Sequence, residues 1–244
     1  MNRKSEGTKE FLEGIRVISF DVGFTLIYTE PPVGTVYAKI AAGFGYRLNG
    51  EEVHARFRET WKTKSSRDQQ EKITALANEK QAYRWWKGIV RESLGDKVAP
   101  EDVDDIFSEC FQEYAKGDYW RVYPEVLQTL NTLRSKDFHL VVLSNWDRRL
   151  LRTLKDLRLD GFFERIYIST LIGYAKPNPG AFQHIVNDLK VSPHEILHVG
   201  DTLNEDILGA QQANIRAVCI DRRGKSRSTP DKIPVISSLT ELLE

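Results

Sequence analysis

The chain has 244 residues, 41% hydrophobic and 29% charged, and its 35 basic residues are balanced by 35 acidic ones. That length holds one large domain or two modest ones with an ample core, and the cancelled charge gives no field to draw it onto nucleic acid or an anionic membrane. No run approaches the roughly 20 apolar residues of a bilayer span, residues 1–13 carry no apolar signal region, and Cys110 and Cys219 sit far apart in apolar patterns as buried free thiols do; a cytoplasmic protein is expected.

The first element is an apolar run, Gly14 to Phe20, that reads as a short buried strand with Asp21 at its carboxyl end. Residues 29–120 then read as helices throughout: Val33–Tyr46, Glu51–Lys64, Glu79–Leu94 and Glu101–Lys116, joined by polar breaks. This block carries Trp61, Trp85, Trp86 and Trp120. For the Trp85-Trp86 pair a core position is expected, with an apolar wall facing a crevice as the alternative. After it, strand-like runs at 138–143, 163–168, 195–199 and 215–220 alternate with amphipathic helices. The helices cover Val122–Ser135 (Val126, Leu127, Leu130 and Leu133 on one face), Asp147–Leu157, Gly180–Leu189 and Leu203–Ala213. Such alternation predicts an α/β fold with a parallel, doubly wound sheet. Gly209-Ala210 allows close helix–sheet approach, and Asn214 suits a left-handed helix cap.

Polar residues stand at four predicted strand ends: Asp21; Ser144-Asn145; Lys176, in Gly173-Tyr174-Ala175-Lys176-Pro177; and Asp201, with Asp206 five residues on. Singly, each has a bland explanation as a turn residue or helix cap. Jointly they converge on the edge of an α/β sheet where ligands bind. Asp21 and Asp201 together can hold one Mg²⁺. Lys176 and the Ser144 hydroxyl supply charge and donors for phosphoryl oxygens, and Asp21 can serve as the nucleophile.

The order and placement of these motifs resemble the haloacid dehalogenase-like (HAD) hydrolase superfamily. In finer detail, Ser144-Asn145-Trp146-Asp147-Arg148-Arg149-Leu150 and Arg84-Trp85-Trp86 resemble the subgroup called haloacid dehalogenase-like hydrolase domain-containing protein 3. The resemblance implies a Rossmann-like catalytic core of residues 1–28 and 121–244, with residues 29–120 as an inserted all-helical cap. It implies Asp21 as nucleophile, Ser144, Asn145 and Lys176 as phosphoryl-binding residues, and Mg²⁺ held by Asp21, Asp201 and the carbonyl of Gly23. Asp206 would orient Lys176 or a metal-bound water. The expected partner is a small phosphorylated substrate, without nucleic acid or membrane, and the chain is expected to be a monomer or homodimer.

Phosphatases of that superfamily carry an aspartate at the position of Gly23, which protonates the leaving group and then activates water, and a glycine at the position of Phe24. Losing the acid–base group costs ~10²–10⁴-fold in rate, falling hardest on poor leaving groups and less on acyl or aryl phosphates. His54 and Glu30 are candidate substitutes. Two alternatives remain. One is carbon–halogen or carbon–phosphorus cleavage, the latter needing a cap lysine such as Lys39, Lys62 or Lys64. The other is an inactive fold that binds a phospho-ligand or protein, for which the charged segment Asp221 to Arg227 is a candidate.

Overall fold

The computed structural model describes residues 9–67, 69–222, 224 and 233–243. Helix α1 (Lys9–Leu12) packs Phe11 and Leu12 against the core ahead of strand β1 (Val17–Phe20). All four residues of β1 are buried, as a strand paired on both edges and covered on both faces must be. Strand β2 (Ile27–Thr29) leads into five helices: α2 (Val33–Gly43), α3 (Gly50–Arg67), α4 (Gln69–Leu76), α5 (Glu79–Leu94) and α6 (Val103–Glu113). Strand β3 (Trp120–Val122) then returns to pair antiparallel with β2. The two ends of the helical segment are thus fastened together as they leave and rejoin the rest of the chain.

Alternation follows: α7 (Val126–Ser135), β4 (His139–Ser144), α8 (Arg149–Asp156), β5 (Arg165–Ile168), α9 (Ser169–Ile172), α10 (Pro179–Leu189) and β6 (Ile196–Gly200). A wide π-type turn over Leu203–Leu208 runs into α11 (Gly209–Gln212), and β7 (Arg216–Ile220) and β8 (Val235–Ile236) complete the sheet. The six strands lie in the order β5-β4-β1-β6-β7-β8, every pair parallel. Period-two alternation splits their side chains between two apolar layers. Ile18, Phe20, Leu140 and Val142 meet Leu130 and Leu133 of α7, while Val17, Val141, Leu143 and Ile196 meet Ala181, Phe182 and Ile185 of α10. The chain therefore has the expected α/β fold with a parallel, doubly wound sheet.

Several local expectations change. Residues 29–120 are not helical throughout, because Thr29 and Trp120 belong to the β2–β3 ribbon, and α4 is an additional helix. Val122 closes a strand, so α7 starts later, and Leu127 is exposed while Val126, Leu130 and Leu133 are buried. Gly209 also lets a loop and a helix come close, since a Cβ there would lie 2.9 Å from both Pro177 Cα and Phe182 Cε2, while Ala210 packs with Ala217 and Cys219 of the sheet. Asn214 does take the left-handed conformation, at φ 58°, and both cysteines are free and buried.

Within the helical segment the rings of Trp61, Trp85 and Trp86 pack mutually at 5.3–5.4 Å between centroids. Trp85 is buried and clusters with Ala75, Leu76, Ala82 and Ile89, and with Ala175 from the loop after α9. Core is the correct reading for Trp85, and the cluster also seats the helices on the sheet domain. Among the described residues no helix is long and apolar enough to cross a membrane.

Candidate active site

Parallel strands bring their carboxyl ends to one edge, and the four groups meet there, although Lys176 is not at a strand end: it comes from the loop after α9, eight residues beyond β5. Asp21 lies immediately beyond β1, its backbone N–H held by Val199 O at 2.9 Å. Its Oδ1 accepts from Ser144 Oγ at 3.0 Å and from Lys176 Nζ at 2.8 Å. Its Oδ2 takes no hydrogen bond from any described residue, which leaves one carboxylate oxygen available to a ligand. Lys176, at 1% exposure, also donates to Leu143 O at 2.9 Å and Asp206 Oδ1 at 2.6 Å. An ammonium has three protons, and all three are engaged.

Asp206 is fixed from three sides. Its Oδ1 also faces His198 Nε2 at 3.2 Å, and its Oδ2 accepts from the Thr202 N–H at 2.9 Å. It can tuck in so closely because residue 200 is glycine: a Cβ there would stand 2.2 Å from Asp206 Cγ. His198 is fully buried, with Nδ1 3.0 Å from Ser19 Oγ. Burial holds its basicity down, with Lys176 adding repulsion and Asp206 partly offsetting both. The neutral ring therefore donates through Nε2 to the acceptor-only carboxylate, leaving Nδ1 to accept from Ser19.

Electrostatics separate the three carboxylates. Burial pushes Asp21 up to about 6, with Lys176 opposing and Asp206 reinforcing. Asp201, partly exposed, is raised by burial and by the charges of Asp206 and Asp21. Asp206 is also penalised by burial, yet Lys176 and His198 overcome this and hold it below the usual range. Burial works against the Lys176 charge too, and Asp206 and Asp21 outweigh it. Oxygens of Asp21, Asp201 and Asp206 lie within 4.8 Å of one another. Three carboxylates around one ammonium form an oxygen-rich, negatively charged pocket whose raised members would be relieved by a cation. This donor set fits a hard divalent ion such as Mg²⁺.

Asn145 is tied down rather than open. Its Nδ2 donates to Lys176 O and to Glu205 Oε2, both at 2.8 Å, and its Oδ1 accepts from the Lys176 N–H at 2.7 Å. Gly23 forms an isolated bridge with Ile27. A Cβ at Gly23 would find only the Trp146 ring within 4 Å, with Cζ3 at 3.7 Å, so a side chain has room there. Phe24 adopts φ 58°, the left-handed backbone that a glycine takes without strain, and its N–H donates to Ile27 O at 2.6 Å. The bend is kept although the glycine is not.

Of the candidate substitutes for the missing acid, Glu30 pairs with Arg121 at 3.3 Å, and His54 stacks on Phe57 at 6.2 Å. Neither contacts the cluster. Lys39 and Lys62 are exposed, and Lys64 pairs with Glu92 at 2.9 Å. The lysine that does reach the site from the helical segment is Lys72. It is buried, 2.5 Å from Glu205 Oε1, with its ammonium 5.1 Å from the Trp61 ring centroid. Nothing in the sequence pattern singles it out, and no helix is expected from the sequence over α4 (Gln69–Leu76). Further links across this seam run from Glu79 to Arg148 N at 2.9 Å and Thr170 Oγ1 at 2.5 Å, and from Ser169 Oγ to Leu76 O at 2.6 Å. In the segment Asp221 to Arg227, Arg223 and residues 225–227 lie outside the described residues. Arg222 is a brace rather than a solvated charge, donating to Thr25 O at 2.6 Å and pairing with Glu125 at 2.6 Å.

Residues 15–214 match the family description "haloacid dehalogenase-like hydrolase". The chain is 28% identical over 232 residues to haloacid dehalogenase-like hydrolase domain-containing protein 3 of Danio rerio, covering 93% of this chain and 95% of that protein. Among solved structures, a HAD phosphatase from Thermococcus onnurineus superposes with a TM-score of 0.65 at 24% identity, covering 93% of this chain and 96% of the other. YfnB from Bacillus subtilis, solved bound to magnesium, gives 0.70 at 18% identity over 93% and 96%. At these identities the structural likeness speaks for the fold.

Proposed function

The chain belongs to the haloacid dehalogenase-like hydrolase family, and we propose that within it the protein is a Mg²⁺-dependent phosphohydrolase confined to good leaving groups. The observation that carries this reading is the oxygen-only cluster of Asp21, Asp201 and Asp206 around a fully engaged Lys176, with no carboxylate at position 23. Asp21, Asp201 and the Gly23 carbonyl would hold Mg²⁺, the ion present in the YfnB structure. When bound, it would supply positive charge to the phosphoryl oxygens. In this arrangement residues 29–120 act as a cap over the catalytic core of residues 1–28 and 121–244.

One carboxylate oxygen of Asp21 attacks phosphorus in line, forming an aspartyl-phosphate while the bond to the leaving oxygen breaks and that oxygen departs with its electron pair. Lys176 and the Ser144 hydroxyl, already aimed at Asp21, stabilise the charge that develops on the transferring group. Asp206 holds Lys176 in place and His198 holds Asp206. Asn145 acts by clamping the Lys176 peptide rather than by touching substrate. Water then cleaves the aspartyl-phosphate, releasing phosphate and restoring the carboxylate. Nothing at position 23 can protonate the leaving oxygen, so its own stability as an anion sets the rate. The clustered carboxylates favour this reading over carbon–halogen cleavage, which has no use for a metal site.

The test is hydrolysis of phosphate esters graded by leaving-group acidity, with Mg²⁺. Wild type is expected to show a steep dependence on leaving group and Asp21→Asn no turnover. Gly23→Asp is expected to gain ~10²–10⁴-fold on poor leaving groups, because position 23 has room and Phe24 already keeps the required backbone. A flat dependence, or turnover surviving in Asp21→Asn, would overturn the proposal.

A further inference from the structure

Gly23 and Trp146 each lie two residues beyond a member of the Asp21–Ser144 hydrogen bond, past the adjacent strands β1 and β4. Where a side chain at position 23 would begin, the nearest atom is Cζ3 of the Trp146 indole, at 3.7 Å. That atom lies on the benzo edge, remote from the polar indole N–H, so an apolar ring edge stands at a place that offers no donor. Trp120, buried, lies behind it with ring centroids 4.9 Å apart and planes inclined at 53°. Both rings are held. Trp120 Nε1 donates to Tyr114 O at 3.3 Å. The Trp146 backbone N–H donates to Ser144 O at 3.0 Å and to Ser169 Oγ at 3.1 Å.

We propose that Trp146, backed by Trp120, is a specificity-determining residue that packs against an aromatic leaving group, making aryl phosphates the substrate class. This rests on the phosphohydrolase reading above. In-line transfer expels the leaving group away from Asp21, past the ends of β1 and β4, where Gly23 leaves space and the indole forms its border. An aryl group meets both conditions of the site. Its oxygen leaves without a proton donor, and its ring face can receive the electropositive indole edge in an edge-to-face contact. An acyl or fluoroalkyl leaving group satisfies the first condition only.

The experiment separates ring packing from leaving-group acidity. Turnover of phenyl phosphate is compared with that of hexafluoroisopropyl phosphate, whose alcohol is of similar acidity, in wild type, Trp146→Phe and Trp146→Ala with Mg²⁺. Wild type is expected to favour the aryl ester by roughly 3- to 10-fold in kcat/KM, Trp146→Phe to keep most of that preference and Trp146→Ala to lose it. Binding of phenylphosphonate against an alkylphosphonate of equal charge, by calorimetry on the Mg²⁺-loaded wild type, gives a second readout. Equal handling of the two esters, or a preference intact in Trp146→Ala, overturns the proposal. Aromatic preference in binding with turnover of no ester sinks the phosphohydrolase reading and supports the ring pocket. If Trp146→Ala does not fold, Trp146→Phe and the wild-type binding pair decide.

Discussion

Two polar regions of this molecule, a few residues apart, are built on opposite rules. At the sheet edge, Lys176 is 1% exposed and spends all three donors on Asp21, Leu143 and Asp206, while Asp206 is gripped again by His198 and Thr202. Along the seam with the helical segment, the pairs are fewer and wetter: the Arg148 side chain opposite Glu79 is 70% exposed. Lys72–Glu205 is the tightest of them, with side chains 9% and 17% exposed. Buried charge without partners is costly, so the inner cluster must be complete. Water can replace an exposed seam partner such as Arg148, whereas Ser169 and Lys72, both buried, are closed off from it.

The comparison can be pressed hardest at Lys176. Lys176→Met leaves Asp21 and Asp206 buried without their cation and is expected to cost ~3–5 kcal/mol in denaturant unfolding, with turnover lost. A smaller cost would mean that the cluster is looser than its geometry. Lys72→Met, at the seam, is expected to cost about 1–3 kcal/mol, because Glu205 keeps its bond from Asn145. Its clearer signature is faster proteolysis within α4 and a raised KM. An effect as large as that of Lys176→Met would erase the distinction between the regions.

The gentlest probe is pH. Asp21 stands at about 6 in the folded protein, above its unfolded value, so it contributes stability at low pH and withdraws it as pH rises through about 6. Protons and Mg²⁺ compete for the same oxygens, so Mg²⁺ affinity is expected to climb across that interval and then level. Calorimetric titration from pH 5 to 8 reads this, and a pH-independent affinity would place the ion away from Asp21.

Much of the inner cluster is legible in the sequence. Asp21, Ser144 and Asp201 stand at the ends of buried apolar runs, which in a parallel sheet end together, whereas Lys176 arrives from the loop beyond α9, eight residues after β5 ends. What escaped depended on pairing or packing between distant segments. The β2–β3 ribbon joins two three-residue strands separated by the whole helical segment, too short for alternation to announce. Leu127 keeps helical period with Val126 and Leu130 yet is exposed, since only packing decides which residues at the margin of an apolar stripe are covered. Lys72 and Glu205 lacked any local mark, and Trp146 was marked only as part of the motif after Ser144, with no role. Their meaning comes from what stands opposite them.

The Ser169 hydroxyl gives the seam a reporter. It receives the Trp146 N–H and donates to the carbonyl of Leu76 at the end of α4. If α4 lifts, Ser169 loses the Leu76 carbonyl but keeps Trp146 O at 3.1 Å as an acceptor, and the Trp146 amide keeps its bond to Ser144 O at 3.0 Å. Deuterium uptake at that peptide group would then rise only in openings that also break the bond to Ser144 O, on the very residue whose ring borders Gly23. A slowly exchanging amide there means that the loop after β4 and the seam hold together, and a bound aromatic ligand is expected to slow it further.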